Sequence, residues 1–322
     1  MRRVFWPLLV VALAAGCGDS PTGPSGPGPT ISCPAPVRSE SLDGRPVPIS
    51  YTTPQATGGQ QPVTVTCAPA SGTAFSVGST SVTCEAEDRA NRQASCSFFV
   101  SVVRPRLVAT RFLAFGDSLT LGVTSAAPTM LLANRPDSYP FKLGTLLTAR
   151  YQTQTPESLN DGVGGETAAR TPASQSVGRQ RLPGSLDANL PDALLLMEGT
   201  NDLLSGQSGA DNALIALEEM VTLGKARGAR VFLATIPPQR AGGIRNRDRV
   251  AAMIPGFNDS IRQIAARQGV PVVDVYRALE NRLDLIGVDD LHPTPQGYDL
   301  IAATFFDVIK ATLEENQPGA IQ

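Results

Sequence analysis

Short apolar runs alternate with amphipathic helical patterns over residues 105–322. Apolar positions that recur every three to four residues predict helices with one face on a core. The predicted strands are residues 112–115, 193–197, 230–236 and 270–275. The predicted helices carry these apolar stripes: Leu214, Leu217, Met220 and Val221; Phe257, Ile261, Ile264 and Ala265, with Pro255 limiting the start; and Ile301, Phe305, Val308 and Ile309, after a start near Thr294 and Pro295. The alternation predicts an α/β domain built around a parallel sheet.

Residues 31–104 show a different pattern, in which apolar and polar residues alternate with a period of two. The inward-facing series are Val63, Val65 and Cys67; Val82, Cys84 and Ala86; and Cys96, Phe98, Val100 and Val102. This alternation predicts half-buried strands, and the cysteines in the series lie in phase with the buried face. A module of about seventy residues buries only a modest core, so we expect disulfides inside a small all-β sandwich.

The first thirty residues have the composition of a leader followed by a tether. Arg2 and Arg3 precede an apolar run over residues 4–15, which is too short to span a bilayer and has the order of a signal peptide. Residues 18–30, GDSPTGPSGPGPT, are almost all Gly, Pro, Ser and Thr and cannot bury a core. We therefore expect residues 1–16 to be removed and residues 17–30 to act as a linker.

The segment that ends at Cys17 resembles the lipobox of bacterial lipoproteins. The resemblance rests on residues 14–17, Ala-Ala-Gly-Cys, with Leu13 just upstream, and it departs from the usual pattern at Ala14, where Leu is commonest. It implies cleavage before Cys17, diacylation of that residue and attachment to a membrane of the bacterial cell envelope. Ordinary secretion with a chance cysteine is the alternative, because small residues before a cleavage site are generic.

The cysteine count agrees with an exported protein. The chain has five cysteines, namely Cys17, Cys33, Cys67, Cys84 and Cys96. Removing Cys17 leaves an even number, which can form two disulfides in an oxidising compartment, either the periplasm or the cell surface. The formal net charge of -2 gives no electrostatic support for nucleic-acid binding.

The β-patterned segment resembles a hyalin repeat (HYR), an immunoglobulin-like extracellular module. The resemblance is carried by Cys33-Pro34, Val65-Thr66-Cys67, Ser71-Gly72, Phe75-Ser76-Val77-Gly78, Val82-Thr83-Cys84, Asp88 and Cys96-Ser97-Phe98-Phe99-Val100, with Ala90 where a Gly is usual. It implies a role in adhesion or spacing, with a surface partner for the module. We prefer the pairs Cys67 with Cys84 and Cys33 with Cys96, although four cysteines allow three pairings.

One serine and one histidine raise the question of nucleophilic chemistry. Ser118 lies in FGDSLTLG directly after a predicted strand, where Asp and Ser usually cap a helix. His292 is the only histidine of the chain, so it must be the base if a Ser-His mechanism operates. Asp289 lies three residues before it and could orient the imidazole as the acid of a serine triad does.

Two further segments follow predicted strands, where an open α/β sheet places ligands. Residues 160–167, NDGVGGET, contain glycines that allow backbone N–H groups such as that of Gly165 to approach a substrate. Residues 198–202, EGTND, place the Asn201 amide where it can donate to a developing oxyanion. Taken alone, each segment is more often a turn than a site.

Together, GDS, the glycine loop, GTND and DDLH resemble the SGNH hydrolases, also called the GDSL esterase/lipase family, from about Leu107 to Glu315. The resemblance implies a three-layer, flavodoxin-like parallel-sheet domain. It implies that Ser118 is the nucleophile, that Asp289 and His292 complete the triad, and that Ser118, Gly165 and Asn201 supply the oxyanion hole. No metal and no organic cofactor is required.

The expected function is that of an exported serine esterase or acylhydrolase that forms an acyl-enzyme on carboxylic esters. The acyl and leaving groups stay open, because the family includes acetyl-sugar esterases, lysophospholipases, thioesterases and lipases; the substrate is expected to be a small-molecule, lipid or sugar acyl ester. The alternative is a catalytically inactive adhesion or spacer lipoprotein.

Two loops of the hydrolase domain could bear on substrate choice. Residues 126–137 could form an apolar wall for an acyl chain, and the loop with Arg240, Arg245, Arg247 and Arg249 could hold an anionic group. Ordinary packing and a solvated charged loop are the favoured interpretations.

Overall fold

The computed structural model of the protein describes residues 26–127, 130–172, 174–244 and 246–318. The predicted signal peptide, Cys17 and most of the predicted linker lie outside this range. No helix in the described residues is long and apolar enough to cross a membrane. The described chain divides into two compact units, residues 26–37, 48–73 and 80–100 in the first and residues 38–47, 74–79 and 101–318 in the second. The domain limits 31–104 and 105–322 stay a prediction.

The strands, in chain order, are β1 (Pro29–Ile31), β2 (Val37–Glu40), β3 (Val47–Pro48), β4 (Ala56–Gly58), β5 (Thr64–Ala68), β6 (Ala74–Phe75), β7 (Gly78–Glu87), β8 (Gln93–Leu107), β9 (Arg111–Gly116), β10 (Val123–Ala127), β11 (Met130–Ala133), β12 (Glu157–Gly162), β13 (Ala193–Met197), β14 (Arg230–Ala234), β15 (Val272–Val273) and β16 (Glu314–Pro318). The helices are α1 (Ser118–Leu121), α2 (Tyr139–Arg150), α3 (Gly178–Asn189), α4 (Gln207–Ala226), α5 (Asp248–Gln268), α6 (Val275–Leu279) and α7 (Pro295–Leu313). Short 3₁₀ turns lie at Arg135–Asp137, Asp202–Ser205 and Leu283–Leu285.

The first unit is all-β and contains two disulfides. Strand β5 pairs antiparallel with β7, so that Cys67 lies opposite Cys84, and these two residues are disulfide-bonded. The second disulfide joins Cys33 to Cys96 across 63 residues of sequence. Both pairs are the ones preferred from the sequence. A small β module with a modest core gains stability from such cross-links, chiefly because they restrict the unfolded chain.

The second unit contains a five-stranded parallel sheet with the strand order β12-β9-β13-β14-β15. Numbered along the chain, this is the order 2-1-3-4-5 of the flavodoxin-like folds. The order reverses beside β9, and a crevice opens there at the carboxyl ends of the strands. The predicted α/β fold class is confirmed.

Side chains alternate between the two faces of this sheet because successive strand residues point in opposite directions. Leu113 and Phe115 of β9 join a core cluster with α3, α4 and α5, whereas Phe112 and Ala114 pack with α2, α6 and α7. Both faces of β9 are fully buried. This produces the near-continuous apolar runs that predicted the strands.

Three element boundaries differ clearly from the sequence prediction, and the first is that the predicted strand 230–236 ends at Ala234. Pro255 lies inside α5 and does not limit its start, because Val250 and Ile254 pack into the core in register with Phe257 and keep the helix continuous. Proline has no N–H to donate to the backbone carbonyl one helical turn earlier. Pro255 is exposed, so this carbonyl lies on the solvent side of α5. The predicted strand 270–275 is reduced to β15, because the Asp274 side chain accepts from a backbone N–H of the next turn and starts α6.

Strands β10 and β11 form an antiparallel hairpin, which overlaps the loop that the sequence indicated at residues 126–137. The side chains of β11 are exposed. The hairpin follows α1 directly, since Gly122 ends that helix in a left-handed conformation (φ 92°) that glycine adopts without strain.

Candidate active site

The sequence-predicted nucleophile lies at the turn between β9 and α1. Asp117, not Ser118, is the cap of α1, since its carboxylate accepts a hydrogen bond from the Leu119 backbone N–H at 2.8 Å. Ser118 is the first residue of the helix, which leaves its hydroxyl available for another partner. Gly116 is required at the end of β9 because a Cβ atom there would meet the Met197 carbonyl oxygen at 2.0 Å.

The partner of the Ser118 hydroxyl is the only histidine of the chain. His292 Nε2 lies 2.9 Å from Ser118 Oγ, across 174 residues of sequence. On the other side of the ring, His292 Nδ1 lies 2.6 Å from Asp289 Oδ2. Ser118 is 8 % exposed, and the His292 and Asp289 side chains are more deeply buried.

The second carboxylate oxygen of Asp289 also accepts hydrogen bonds. Its Oδ1 accepts from the His292 backbone N–H at 3.0 Å and from the Ser125 hydroxyl at 3.0 Å. Burial by itself would raise the pKa of Asp289, but the hydrogen bonds and the charge of His292, with the contact from Ser125, hold this pKa below its usual value. The carboxylate is therefore ionised and fixed in orientation. The contact with Ser125 was not foreseen from the sequence.

The neighbouring aspartate has a different environment. Asp290 Oδ1 accepts from Arg240 Nη1 at 3.0 Å, and the same guanidinium donates to the backbone carbonyls of Gly287 and Ile286 at 3.1 and 2.5 Å. Asp290 has a left-handed backbone (φ 64°). Arg240 and Asp290 thus hold the loop that carries His292, and Arg240 is a loop-positioning residue.

The two sequence-predicted oxyanion donors face the same cavity as Ser118. Gly165 has φ +75°, and a Cβ built there would meet nothing, so its backbone lies open to the cavity. Asn201 Nδ2 donates to the Glu166 carbonyl at 2.8 Å, which leaves the second amide hydrogen for another acceptor. Asp202 accepts from the backbone N–H groups of Ala168 and Ala169 at 2.8 and 3.0 Å and so ties the glycine loop to β13.

Four buried carboxyl groups lie around this turn: Asp117, Glu166, Glu198 and Asp202, each 1 % exposed or less. Arg181 neutralises one of them through hydrogen bonds to both Glu166 oxygens. Burial is the main cause that raises the pKa of Asp117 to about 7 and of Asp202 to about 6, against the opposing effect of backbone donors. Burial, with the charge of Asp117, also raises the pKa of Glu198 well above its usual value, and neither oxygen of this side chain has a partner among the described residues.

The cavity has a volume of about 360 Å³. Its polar end is formed by Ser118, Gly164, Gly165, Asn201 and His292. Its other walls are Val123, Leu131, Ala133, Leu291 and Arg247. The β10–β11 hairpin therefore contributes apolar residues to the cavity wall, and Arg247 of the charged loop also lines the cavity. No group of three or more His, Cys, Asp or Glu side chains that could hold a metal ion occurs in the part of the chain that the structure describes.

Two family models match parts of the chain. The GDSL-like lipase/acylhydrolase family model matches residues 114–300, and the HYR domain model matches residues 27–102. No curated protein matches the chain significantly.

Several solved structures share the fold. An aryl esterase from M. smegmatis is 20 % identical with a TM-score of 0.55, and the match covers 64 % of this chain and 100 % of that one. A lipase/acylhydrolase from Enterococcus faecalis is 23 % identical with a TM-score of 0.53, with 65 % and 98 % of the two chains covered. A carbohydrate acetylesterase from Sinorhizobium meliloti is 18 % identical with a TM-score of 0.51, with 62 % and 98 % covered.

Fold and family together define an ester-bond hydrolase with a parallel α/β sheet. The chain belongs to the GDSL-like lipase/acylhydrolase family and carries an HYR domain in its N-terminal part.

Proposed function

We propose that the protein is an exported serine esterase or acylhydrolase that uses Ser118, His292 and Asp289 as its catalytic triad. One observation carries the proposal: the hydrogen bonds from the Ser118 hydroxyl through His292 to Asp289 form an unbroken series. This series opens on a cavity that Gly165 and Asn201 also line.

The reaction begins when Ser118 Oγ attacks the carbonyl carbon of an ester and His292 Nε2 takes the hydroxyl proton. The carbonyl oxygen becomes an oxyanion, which accepts hydrogen bonds from the backbone N–H groups of Ser118 and Gly165 and from Asn201 Nδ2. His292 then returns the proton to the departing alkoxide, and an acyl group stays on Ser118. Water attacks this acyl-enzyme with His292 again as the base, which releases the acid and restores the serine.

Asp289 supports both proton transfers without gaining a proton. Its low pKa keeps the carboxylate charged, and the charge stabilises the imidazolium that forms on His292. The contacts of Asp289 with Ser125 and with the His292 backbone fix the plane of the carboxylate, and so orient the ring toward Ser118. No step requires a metal or an organic cofactor.

We place the substrate among small esters. A cavity of about 360 Å³ is at the small end of ligand sites and suits a short acyl or aryl group. Two of the similar structures are named an aryl esterase and a carbohydrate acetylesterase, which act on such groups, and a third is named a lipase/acylhydrolase.

Export and anchoring belong to the same proposal. Lipidation at Cys17 would hold the enzyme on a membrane of the cell envelope, and the linker 17–30 and the HYR module would separate the catalytic unit from the bilayer. Support comes from the two disulfides, which are typical of oxidising compartments. The module would also offer a surface partner its binding face.

The rival function is that of an adhesion or spacer lipoprotein without activity. The complete hydrogen-bonded series and the open cavity favour the enzyme, because an inactive scaffold has no need to keep Ser118 within 2.9 Å of a histidine. The discriminating assay uses the full-length protein with p-nitrophenyl esters from acetate to laurate. We expect Ser118→Ala to abolish turnover and Ser208→Ala, an exposed serine on α4, to retain it. Equal turnover in wild type and Ser118→Ala would refute the proposal.

A further inference from the structure

The hairpin of β10 and β11 carries large apolar side chains that do not pack into the core. Met130, Leu131 and Leu132 follow one another and are 55, 44 and 49 % exposed. Among the described residues, none from β11 belongs to either buried core cluster. Successive exposed apolar side chains are uncommon on a protein surface unless they bind a ligand or a partner. Ordinary packing, which the sequence favoured for this loop, therefore does not account for them.

The register of the hairpin assigns its side chains to two faces. Ser125 pairs directly with Leu131, and Val123 pairs with Ala133. Residues opposite each other in an antiparallel pair have their side chains on the same face, and alternate residues of a strand share that face. These four side chains therefore form one face, which we call the inner face. Leu132 lies on the other, outer face.

The inner face is turned toward the active site. The Ser125 hydroxyl on this face donates to Asp289 Oδ1 at 3.0 Å, which fixes the direction of the face independently of the cavity. The other three residues of the inner face all line the cavity beside the nucleophile, and Leu132 of the outer face does not. The same two strands thus carry the contact with Asp289 and an apolar wall of the cavity.

This wall has the chemistry to recognise an apolar group. The side chains of Val123, Leu131 and Ala133 contain only carbon and hydrogen. A methylene group that leaves water and covers such a wall gains free energy, whereas an oxygen atom in the same place finds no side-chain donor on it. Leu131 exposes 44 % of its surface, so it has apolar area that a substrate can cover.

We propose that Leu131 and Ala133 are specificity-determining residues, which select esters with a short apolar group over esters with a polar group of the same size. The inference rests on the proposed function, since it concerns the substrate of the same Ser118 site. The apolar group can belong to the acyl half or to the alcohol half of the ester, and both present the same hydrocarbon chemistry to the wall. A cavity of about 360 Å³ suits a short group in either position.

Two isosteric pairs of esters separate these sources. The esters p-nitrophenyl butyrate and p-nitrophenyl methoxyacetate differ by one methylene group of the acyl half that is replaced by an ether oxygen. Butyl acetate and 2-methoxyethyl acetate have the same replacement in the alcohol half. For each pair, kcat/KM is measured with the full-length protein by titration of released acid. The apolar-to-polar ratio is then compared between variants, so the intrinsic reactivity of the two esters cancels.

Leu131→Asn places a polar side chain of similar size on the inner face. We expect the ratio to fall about 3- to 10-fold for the pair whose replaced group contacts the wall, which is the discrimination that one methylene group provides in an apolar pocket. Leu132→Asn is the matched control, because it makes the same change one residue away, at similar exposure and on the outer face. It should leave both ratios unchanged.

Ala133→Leu tests the wall by volume and keeps the inference testable even if Leu131→Asn does not fold. The larger side chain occupies part of the cavity, so longer chains should be hydrolysed less well relative to short ones. We expect kcat/KM for p-nitrophenyl butyrate relative to the acetate, or for butyl acetate relative to methyl acetate, to fall roughly 5- to 100-fold, as for overpacking of an apolar site.

Two results would overturn the inference: ratios in Leu131→Asn that match those in Leu132→Asn for both pairs, or an unchanged chain-length preference in Ala133→Leu for both halves. If the esters are then still hydrolysed in a Ser118-dependent way, the proposed function survives and only the selectivity fails. If no ester is hydrolysed and Ser118→Ala matches wild type, the proposed function itself fails, and the inference fails with it.

Discussion

Replacing Asp117 with Asn should change how the stability of the protein depends on pH. Asp117 is fully buried, and burial is the main cause that raises its pKa from 3.8 to about 7; the Leu119 N–H opposes this, and the charges of Asp202 and Glu166 add to it. Asn retains an oxygen that can accept from the Leu119 N–H, so the cap of α1 survives while the titrating group is removed.

Whether the protein gains or loses stability as the pH rises follows from how tightly the Asp117 carboxyl binds its proton in the folded and in the unfolded chain. Well below pH 3.8 the carboxyl is protonated both in the folded and in the unfolded chain, so it imposes no pH-dependent cost. As the pH rises toward 7, the unfolded chain releases the proton more readily than the folded one, and the free energy of unfolding falls. A difference of roughly three units between the folded-state and the unfolded-state pKa corresponds to about 4 kcal/mol of the free energy of unfolding. This loss is complete above the folded-state pKa.

The assay is urea unfolding of wild type and Asp117→Asn at several pH values between about 4.5 and 8.5. We expect the variant to gain stability relative to wild type by several kcal/mol across this interval, whatever constant cost the new amide imposes. Asp211→Asn, an exposed change on α4, is the control and should show no such trend. Parallel stability curves for wild type and Asp117→Asn would refute the reasoning.

Three further predictions concern catalysis and location. Asn201→Ala should lower kcat by about 10²- to 10³-fold with a smaller change in KM, as for other single oxyanion donors, and a pure KM effect would instead make Asn201 a ground-state binding residue. Asp289→Asn should lower kcat by about 10³- to 10⁴-fold because an amide can hold the imidazole of His292 in the wrong tautomer; near-normal kcat would remove Asp289 from the triad. Cys17→Ser should release the protein from membranes, because several acyl chains anchor far better than one; wild type that carries no fatty acid and fractionates as a soluble protein would exclude the lipid anchor.

The sequence was informative where a local pattern determines the structure. Strands β9 and β13 are buried on both faces, so their continuous apolar runs predicted them correctly. The segments that follow these two strands were identified by their residue types. Asp289 is three residues from His292, and this spacing alone suggested the contact that the structure has.

What could not be predicted depends on distant parts of the chain. Ser125 and Asp289 are 164 residues apart, and only the fold brings the hydroxyl to the carboxylate. Arg247 was one of several arginines in a predicted loop, and the structure makes it the residue before the first turn of α5 and one of the residues that line the cavity. That start was misjudged because Pro255 stops helices by local rules, whereas packing on both sides of it keeps α5 continuous.

The central claim, that Ser118 forms the covalent acyl-enzyme, is tested most directly by mass spectrometry of the intact protein after reaction with a fluorophosphonate. This reagent traps an activated serine as a stable adduct. We predict one adduct per chain, located on the peptide that contains Ser118, with loss of ester hydrolysis in proportion to labelling and no adduct in His292→Ala. A fully active protein without an adduct, or an adduct on another residue that accompanies the loss of activity, would contradict the account.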